Sequence, residues 1–535
     1  MRVSILSWVA AVAVLGCTPV SARPLLSAHM PAIVREHAVA IAGAPDQNAR
    51  LQLTVALPMR HQGELNELLG ALYNPQSPLF HHWLSVAEFT KRFGPTERDY
   101  GAAVHFFDAS GLRVTGTTPN RYLIPLEGKV ADIERVFHTR LKLYRHPKED
   151  RTFLAPDREP SLDLAVPVLR VSGLDDFVQP YSKLAGQRSH IGRKRTGSGP
   201  DGNFIGSDFR AAYYGTGKNA TLTGAGQSVG LVEFLGYMPA DVTLYFNTVG
   251  ESINVPINGI SVDGTAVDCG TCNDGEQVLD IEYAVSMALG LAQVQFYVSR
   301  DPLAMLNRIA TDNTSKQISD SWGWGRDLPG EDPIYQEMAA QGQTFLVASG
   351  DYSSLKRSGQ WPEEDANVVG VGGTDLVTKG PAGPYLLEKG WKDSGGGPSL
   401  DKHIPIEPYQ LPYINRRNGG STILRNVPDV SANANYDMFI CFKNKCNGGW
   451  GGTSFAAPEW AGFVALINEQ GAKNGKQPVG FLNPTLYGML KDDKTVLHDP
   501  VGNHSGLYNT VRGYNLVTGL GSPTGRKLIR ALAGN

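Results

Sequence analysis

From about residue 200 onward, short apolar runs alternate with helical periodicity, and this constrains the fold more than any other feature. Strand-like runs fall at Ser228–Phe234, Val294–Ser299, Gln317–Ser321, Thr344–Ala348 and Val368–Val371. Helical spacing fills 276–290, 301–312, 333–341 and 454–470. Strand–helix alternation of this kind predicts an α/β domain with a mostly parallel sheet covered on both faces. In such sheets the chemistry sits at the carboxyl ends of the strands.

A chain of 535 residues is too long for one ordinary core, so more than one domain is expected. Residues 30–176 read as a separate α+β unit. Leu51–Leu57 and Leu141–Tyr144 read as strands, and Gly63–Leu72, Val86–Phe93, Tyr100–Ser110 and Val130–Phe137 as helices. This interleaving predicts a split-βαβ, ferredoxin-like domain. A polar, basic, turn-rich stretch, 186–200, then reads as an exposed linker open to proteolysis. The expected organisation is a signal peptide at 1–22, a propeptide at 23–185, a cleavable linker at 186–200 and a catalytic domain at 201–535.

The N-terminal reading rests on Arg2, the apolar run Ile5–Leu15 and the small residues ending Val20-Ser21-Ala22, the pattern of a secretory signal cleaved after Ala22. Lipoprotein processing at Cys17 is the alternative. No run of 18 apolar residues occurs, so no ordinary membrane span is expected. The net charge of −3 argues against a nucleic-acid partner. It hides an asymmetry. Residues 23–195 carry 23 Lys and Arg against 18 Asp and Glu, and residues 196–535 carry 25 against 34. A basic first part facing an acidic second part is expected. Cys269, Cys272, Cys441 and Cys446 favour disulfides in an exported chain, with a four-thiolate zinc site as the alternative. Local pairing is favoured because Cys441 and Cys446 could staple a hairpin, although spacing does not fix connectivity.

The most specific segment is Gly451-Gly452-Thr453-Ser454-Phe455-Ala456-Ala457-Pro458. Its glycines allow close backbone approach and put Ser454 at a helix N-terminus, where free N–H groups favour an oxyanion. Pro458 is expected in the first turn, where a missing N–H costs little. The string is similar to the serine motif of subtilisin-like peptidases, but the histidine base is missing. After residue 195 only His403, His498 and His504 occur, and none is followed by Gly. Glu276 and Asp280 offer a substitute, being i and i+4 on one helix face among Val278, Leu279 and Ile281. Two such carboxyls make better sense sharing a proton than as a solvated acidic face.

With E-x-x-x-D, a later strand-end Asp and G-T-S-x-x-x-P in this order, the chain resembles the sedolisins, the serine-carboxyl peptidases. Asn74–Leu84 and Phe89–Pro95 resemble the family's propeptide, and Gly395–Gly397 and Val427–Ser431 its cleft loops. The resemblance implies a subtilisin-like catalytic domain. It makes Ser454 the nucleophile, Glu276 the general base, Asp280 its tuning partner and Asp351 the oxyanion-hole aspartate. Glu233 and Trp322 resemble an outer network found in some members. It also implies one structural calcium on Asp499 and the carbonyls of Pro500, Val511 and Gly513, with Asn515 where the pattern usually has Asp. The implied partners are protein and peptide substrates and the chain's own propeptide as inhibitor, acting on a monomer. An aspartate donates to an oxyanion only when protonated and a glutamate accepts a proton only when ionised, so action in acid follows from the residue types.

The expectation is therefore a secreted acid endopeptidase made as a self-activating precursor. Its rivals are another serine hydrolase, which the missing G-x-S-x-G elbow at Ser454 disfavours, and an inactive binding protein on the same fold. Release in acid is expected to come partly from catalytic-side carboxylates losing their charge opposite propeptide Arg and Lys.

Overall fold

The computed structural model describes residues 22–188, 195–215, 221–325, 328–358 and 361–534. The expected signal segment with Cys17 lies outside the described residues, except for Ala22, and so does 189–194 of the expected linker.

The second half builds an eight-stranded sheet in the order Ile257–Ser261, Gln293–Val298, Ser228–Glu233, Gln317–Asp320, Thr344–Ala348, Val369–Thr378 and Tyr385–Gly390, with Val430–Asn433 also paired to Val369–Thr378. Every pairing is parallel except that of Tyr385–Gly390. The central strands are buried along their whole length, as continuous apolar runs require in a sheet covered on both faces. Two long helices cover one face. Gly275–Met287 and Thr453–Lys473 pack together, and Gly462 makes this possible, because a Cβ there would lie 2.7 Å from the Ala284 carbonyl oxygen.

The first half contains a four-stranded antiparallel sheet in the order Arg113–Val114, Leu123–Lys129, Arg50–Ala56 and Arg170–Ser172. Helices including Gln62–Leu72, Val86–Arg92, Glu97–Ala109 and Val130–Val136 connect its strands. Ser85 caps the second of these with a capping box to Glu88. This is the expected ferredoxin-like arrangement, with a further three-stranded sheet of Ile41–Gly43, Leu141–Arg145 and Thr152–Pro156.

The two halves share buried apolar surface. Leu65, Leu68, Leu72, Tyr73, Phe89 and Phe93 belong to the same cluster as Leu346, Val479 and Phe481. Neutral donors complete the contact. The Tyr73 hydroxyl donates to the Ala339 carbonyl (2.7 Å), Trp83 Nε1 to that of Pro478 (2.9 Å), and Asn120 Nδ2 to Glu337 (2.7 Å). Among the described residues, a basic residue of the expected propeptide meets a catalytic-side carboxylate at Lys183–Glu363, and one of the expected linker at Arg188–Asp393. Both lie in the segment leaving the first domain.

That segment differs from the expected free linker. Tyr181–Ser182 pairs antiparallel with Trp322–Gly323, and Gly186–Gln187 with Trp450–Gly451. Farther on, Arg195 donates to Asn203 Oδ1 (2.6 Å). Residues 186–188 and 195 are thus held by partners more than a local turn away. Val427–Ser431, expected as a cleft loop, instead leads into the buried strand Val430–Asn433. Cysteines pair locally, Cys269 with Cys272 and Cys441 with Cys446. Among the described residues no helix is long and apolar enough to cross a membrane.

Candidate active site

The carboxyl ends of adjacent parallel strands converge on one place. Glu233 and Asp320 end their strands, and Asp351 follows Thr344–Ala348 by three residues. Ser454 is the second residue of the helix Thr453–Lys473, and Glu276 the second of Gly275–Met287. Close packing of these helices brings the E-x-x-x-D face over the serine.

Glu276, Asp280, Glu233 and Ser454 are all buried. Trp322 Nε1 donates to Glu233 Oε2 at 2.9 Å. Ser321 Oγ lies 2.7 Å from Asp280 Oδ1 and 3.2 Å from the Ser454 carbonyl oxygen. The Ser321 hydroxyl is the donor in both contacts, and the shorter is to Asp280. Burial, then the charges of Glu233 and Glu276, push Asp280 well above the usual carboxyl range. Glu233 is raised as well, first by burial. Each of the three carboxyls keeps one oxygen without a partner. A cluster of this kind favours protonation, because a low-dielectric interior penalises several like charges.

Pro458 is in the second turn rather than the first, since the helix starts at Thr453. Its missing N–H leaves the Ser454 carbonyl free of a helical partner, and Ser321 reaches that carbonyl.

Asp351 is arranged differently. Its Oδ1 accepts from the Thr453 N–H (2.8 Å) and the Thr453 hydroxyl (2.9 Å), while Oδ2 has no partner. Burial pushes its pKa up to about 7, against the two Thr453 hydrogen bonds that lower it. A proton on this group therefore belongs on Oδ2. A Cβ at Gly452 would stand 2.8 Å from that oxygen, so the residue before Thr453 has to be glycine for the aspartate to sit there.

The segment 181–188 covers the site. Ser182 Oγ donates a short hydrogen bond to Glu276 Oε2. Burial raises Glu276, and the hydroxyls of Ser182 and Ser454 pull it down. Ser454 Oγ is left beside the carboxylate with no formed hydrogen bond. Among the described residues no histidine takes part: His403 bonds Asp401, and His498 stacks on Tyr385.

Sequence reasoning located Glu233, Glu276, Asp280, Trp322, Asp351 and Ser454, and the structure gathers all six. It missed Ser182, Lys183, Ser321, Asp320, Thr453 and Glu363. Only Thr453 had a signal, as part of the Gly-Thr-Ser string.

The residues expected to hold calcium lie apart, in the C-terminal loop. Asp499 Oδ1 accepts from the Gly513 N–H at 3.0 Å. Asn515 Oδ1 accepts the N–H groups of Val517 and Thr518, both at 3.0 Å, which fixes the orientation of the amide. Its Nδ2 then donates to the carbonyls of Val511 (3.1 Å) and Gly513 (3.2 Å). An N–H donor thus faces the oxygens that a cation would need, and Ca²⁺ wants six or more oxygens. In this arrangement the residues do not fit the ion.

A mostly parallel sheet, a serine at a helix N-terminus beyond its strand ends and an N-terminal domain whose tail covers that serine define a subtilisin-like serine peptidase in precursor form. The Pro-kumamolisin, activation domain family matches residues 38–177, and the Subtilase family matches residues 295–483. Kumamolisin of Bacillus sp. (strain MN-32) is 30% identical over 90% of this chain and 92% of its own. Sedolisin of Pseudomonas sp. (strain 101) is 27% identical over 88% of this chain and 84% of its own. A solved structure of Pseudomonas sedolisin, complexed with two molecules of pseudo-iodotyrostatin, aligns with a TM-score of 0.55 and 26% identity over 64% of this chain and 99% of that one. The chain belongs to the kumamolisin–sedolisin family of serine-carboxyl peptidases and carries that family's activation domain.

Proposed function

We propose that this protein is an exported endopeptidase, active in acid and made as a self-activating precursor, with Ser454 as nucleophile. The observation that carries this reading is the buried group of Glu276, Asp280 and Asp351 around Ser454, with no histidine there among the described residues. Ser454 Oγ attacks the substrate carbonyl carbon while Glu276 takes its proton. The proton on Asp351 Oδ2 is donated to the oxyanion, because Thr453 already occupies Oδ1. Asp280, kept protonated by burial and by the charges of Glu233 and Glu276, leaves Glu276 as the carboxyl that ionises when the cleft opens. Glu276 returns its proton to the leaving amine, and water hydrolyses the acyl-enzyme.

In the covered precursor Glu276 is raised by burial, which works against its role as a base. Removing the segment 181–188 hydrates Glu276 and lowers its proton affinity. The boundaries proposed with it are a propeptide at 23–185, a linker at 186–200 and the enzyme proper from 201, after loss of a signal at 1–22. Two disulfides support export to an oxidising compartment. The C-terminal loop around Asp499 and Asn515 closes on its own hydrogen bonds.

Casein hydrolysis at acid pH tests the reading. The activated protein cuts casein, and the Ser454→Ala protein does not. Equal rates for the two, or no cutting by the unmodified protein at any pH, would remove it.

A further inference from the structure

Between its two ladders the segment 181–188 carries one peptide bond, Lys183–Leu184, that belongs to neither, its N–H donating to Ser182 Oγ at 3.1 Å. On the N-terminal side, Tyr181–Ser182 pairs with Trp322–Gly323, and the Lys183 N–H donates to the Ser321 carbonyl at 3.0 Å. On the C-terminal side, the Ala185 N–H donates to the Gly451 carbonyl at 3.1 Å, and Gly186–Gln187 continues the pairing. The bond between Lys183 and Leu184 spans the gap. A Cβ built at Gly452 would lie 2.8 Å from Asp351 Oδ2, 3.2 Å from Ala185 N and 3.4 Å from Leu184 Cα. Ser182, one residue upstream, holds Glu276. The Lys183–Leu184 bond thus runs past the base, the oxyanion donor and the serine turn together.

The Lys183 side chain enters the protein. It is 1% exposed, between the ends of the adjacent strands Gln317–Asp320 and Thr344–Ala348. Its Nζ donates to the Ala348 carbonyl (2.8 Å) and to Glu363 Oε2 (2.9 Å). Glu363 is fully buried, and its Oε1 has no partner. The Lys183 charge also acts on Asp320 at the end of the neighbouring strand. A buried Glu363 carboxyl with one oxygen unpartnered, beside the Ala348 carbonyl at the bottom of a pocket, leaves acceptors unpaired unless a cationic donor enters. Arg188, the next basic residue of the segment, is by contrast half-exposed on Asp393.

We infer that the Lys183 pocket is the specificity pocket for the residue whose carbonyl Ser454 attacks, that Glu363 selects lysine there, and that Lys183–Leu184 is the first bond the precursor cuts in itself. The inference rests on the peptidase reading above. In that step Ser454 Oγ bonds to the Lys183 carbonyl carbon and passes its proton to Glu276. The bond from that carbon to the Leu184 nitrogen breaks as the nitrogen takes the proton. Water then cleaves the ester and leaves a Lys183 carboxyl and a Leu184 amino terminus. The cut falls inside the expected 23–185 propeptide, two residues before the expected 186–200 linker.

The purified precursor is acidified, and the earliest products are read by intact mass and N-terminal sequencing. In parallel, the activated enzyme is given two blocked peptides, Tyr-Ser-Lys-Leu-Ala-Gly and its Met-for-Lys counterpart, which keeps the chain length and loses the charge. The expected first terminus is Leu184. The Lys peptide is cut after Lys about 10- to 100-fold faster in kcat/KM, the range for a pocket built around a paired charge. Glu363→Gln brings the two peptides to within a few-fold. If that variant does not fold, the comparison of peptides on the unmodified enzyme still decides. A first terminus elsewhere, or equal rates on the two peptides, overturns the inference. Casein hydrolysis measured alongside separates this from failure of the peptidase reading: casein cut without lysine preference rejects the pocket alone, and no casein cut rejects both.

Discussion

Ser182 of the propeptide donates a hydrogen bond to Oε2 of Glu276, in the first turn of a catalytic-domain helix 94 residues away. One oxygen of the Glu276 carboxyl is thereby occupied from outside the catalytic domain, while its Oε1 and Ser454 Oγ form no hydrogen bond. The precursor is restrained by one hydroxyl as well as by coverage of the cleft.

Ser182→Ala should therefore shorten the lag of acid activation. One intramolecular hydrogen bond is lost, so the rate of first cleavage should rise by about 2- to 10-fold. Intact-mass time courses at fixed acid pH measure it. An unchanged or slower rate would mean that Ser182 serves the docking of the segment and not the restraint of Glu276.

On the proposed mechanism the alkaline limb of activity should belong to Asp351. Burial raises it to about 7 in the covered site, and opening the cleft hydrates it and lowers that value. Donation from Oδ2 should then fail as pH rises towards 7, and activity should peak below pH 6. Asp351→Asn keeps an N–H donor that does not titrate. Its residual activity should show an alkaline limb shifted upward, while Ser454→Ala should lose about 10⁴-fold or more. Full activity of the unmodified enzyme at pH 8 would reject these roles.

Acid should trigger chemistry without loosening the fold. Asp320, Glu337 and Asp351 are each pushed up to about 7, burial being the main cause. Carboxyls in the unfolded chain titrate near ~4. A folded-state value above the unfolded one means that the stability these groups contribute is complete below about pH 4 and is lost as pH rises through about 7. Glu337 sits under Asn120 of the propeptide, so the interface shares this dependence. The uncleavable Ser454→Ala precursor should melt higher at pH 5 than at pH 8, by at least ~2 °C for a chain of this kind. A lower melting point at pH 5 would restore acid loosening of the ion pairs, Lys183–Glu363 and Arg188–Asp393, as the release step.

Chelation should leave the melting point of the precursor unchanged, because Asn515 Nδ2 already bonds the Val511 and Gly513 carbonyls. Asn515→Asp would turn that donor into an acceptor facing two carbonyls. The variant should melt lower without calcium and regain stability when calcium is added. Calcium found by metal analysis in the unmodified protein, with melting lowered on chelation, would show that the loop rearranges around an ion.

Local chemistry was written in the chain. Gly452-Thr453-Ser454 can only be a tight turn into a helix, and Glu276 and Asp280 share a face because a helix repeats every ~3.6 residues. The alternation after residue 200 dictated a parallel sheet, because each apolar run is too short to span anything but a sheet layer. Those signals arise within a few residues of each other. The contacts that decide how the site behaves do not. Which oxygen of Asp351 is free depends on Thr453, 102 residues away, and Lys183 meets Glu363 across 180 residues. Tyr181–Gln187 has no periodicity of its own and becomes strand only where two separate edges meet it. The amide of Asn515 could have offered either end to a cation, and the N–H groups of Val517 and Thr518 chose. Sequence determined which groups are present and which local shapes they take, because those follow from short-range sterics and periodicity. Tertiary structure alone decided which partner each polar atom finds, because that depends on how distant segments close on one another and on which charges burial leaves to be paired.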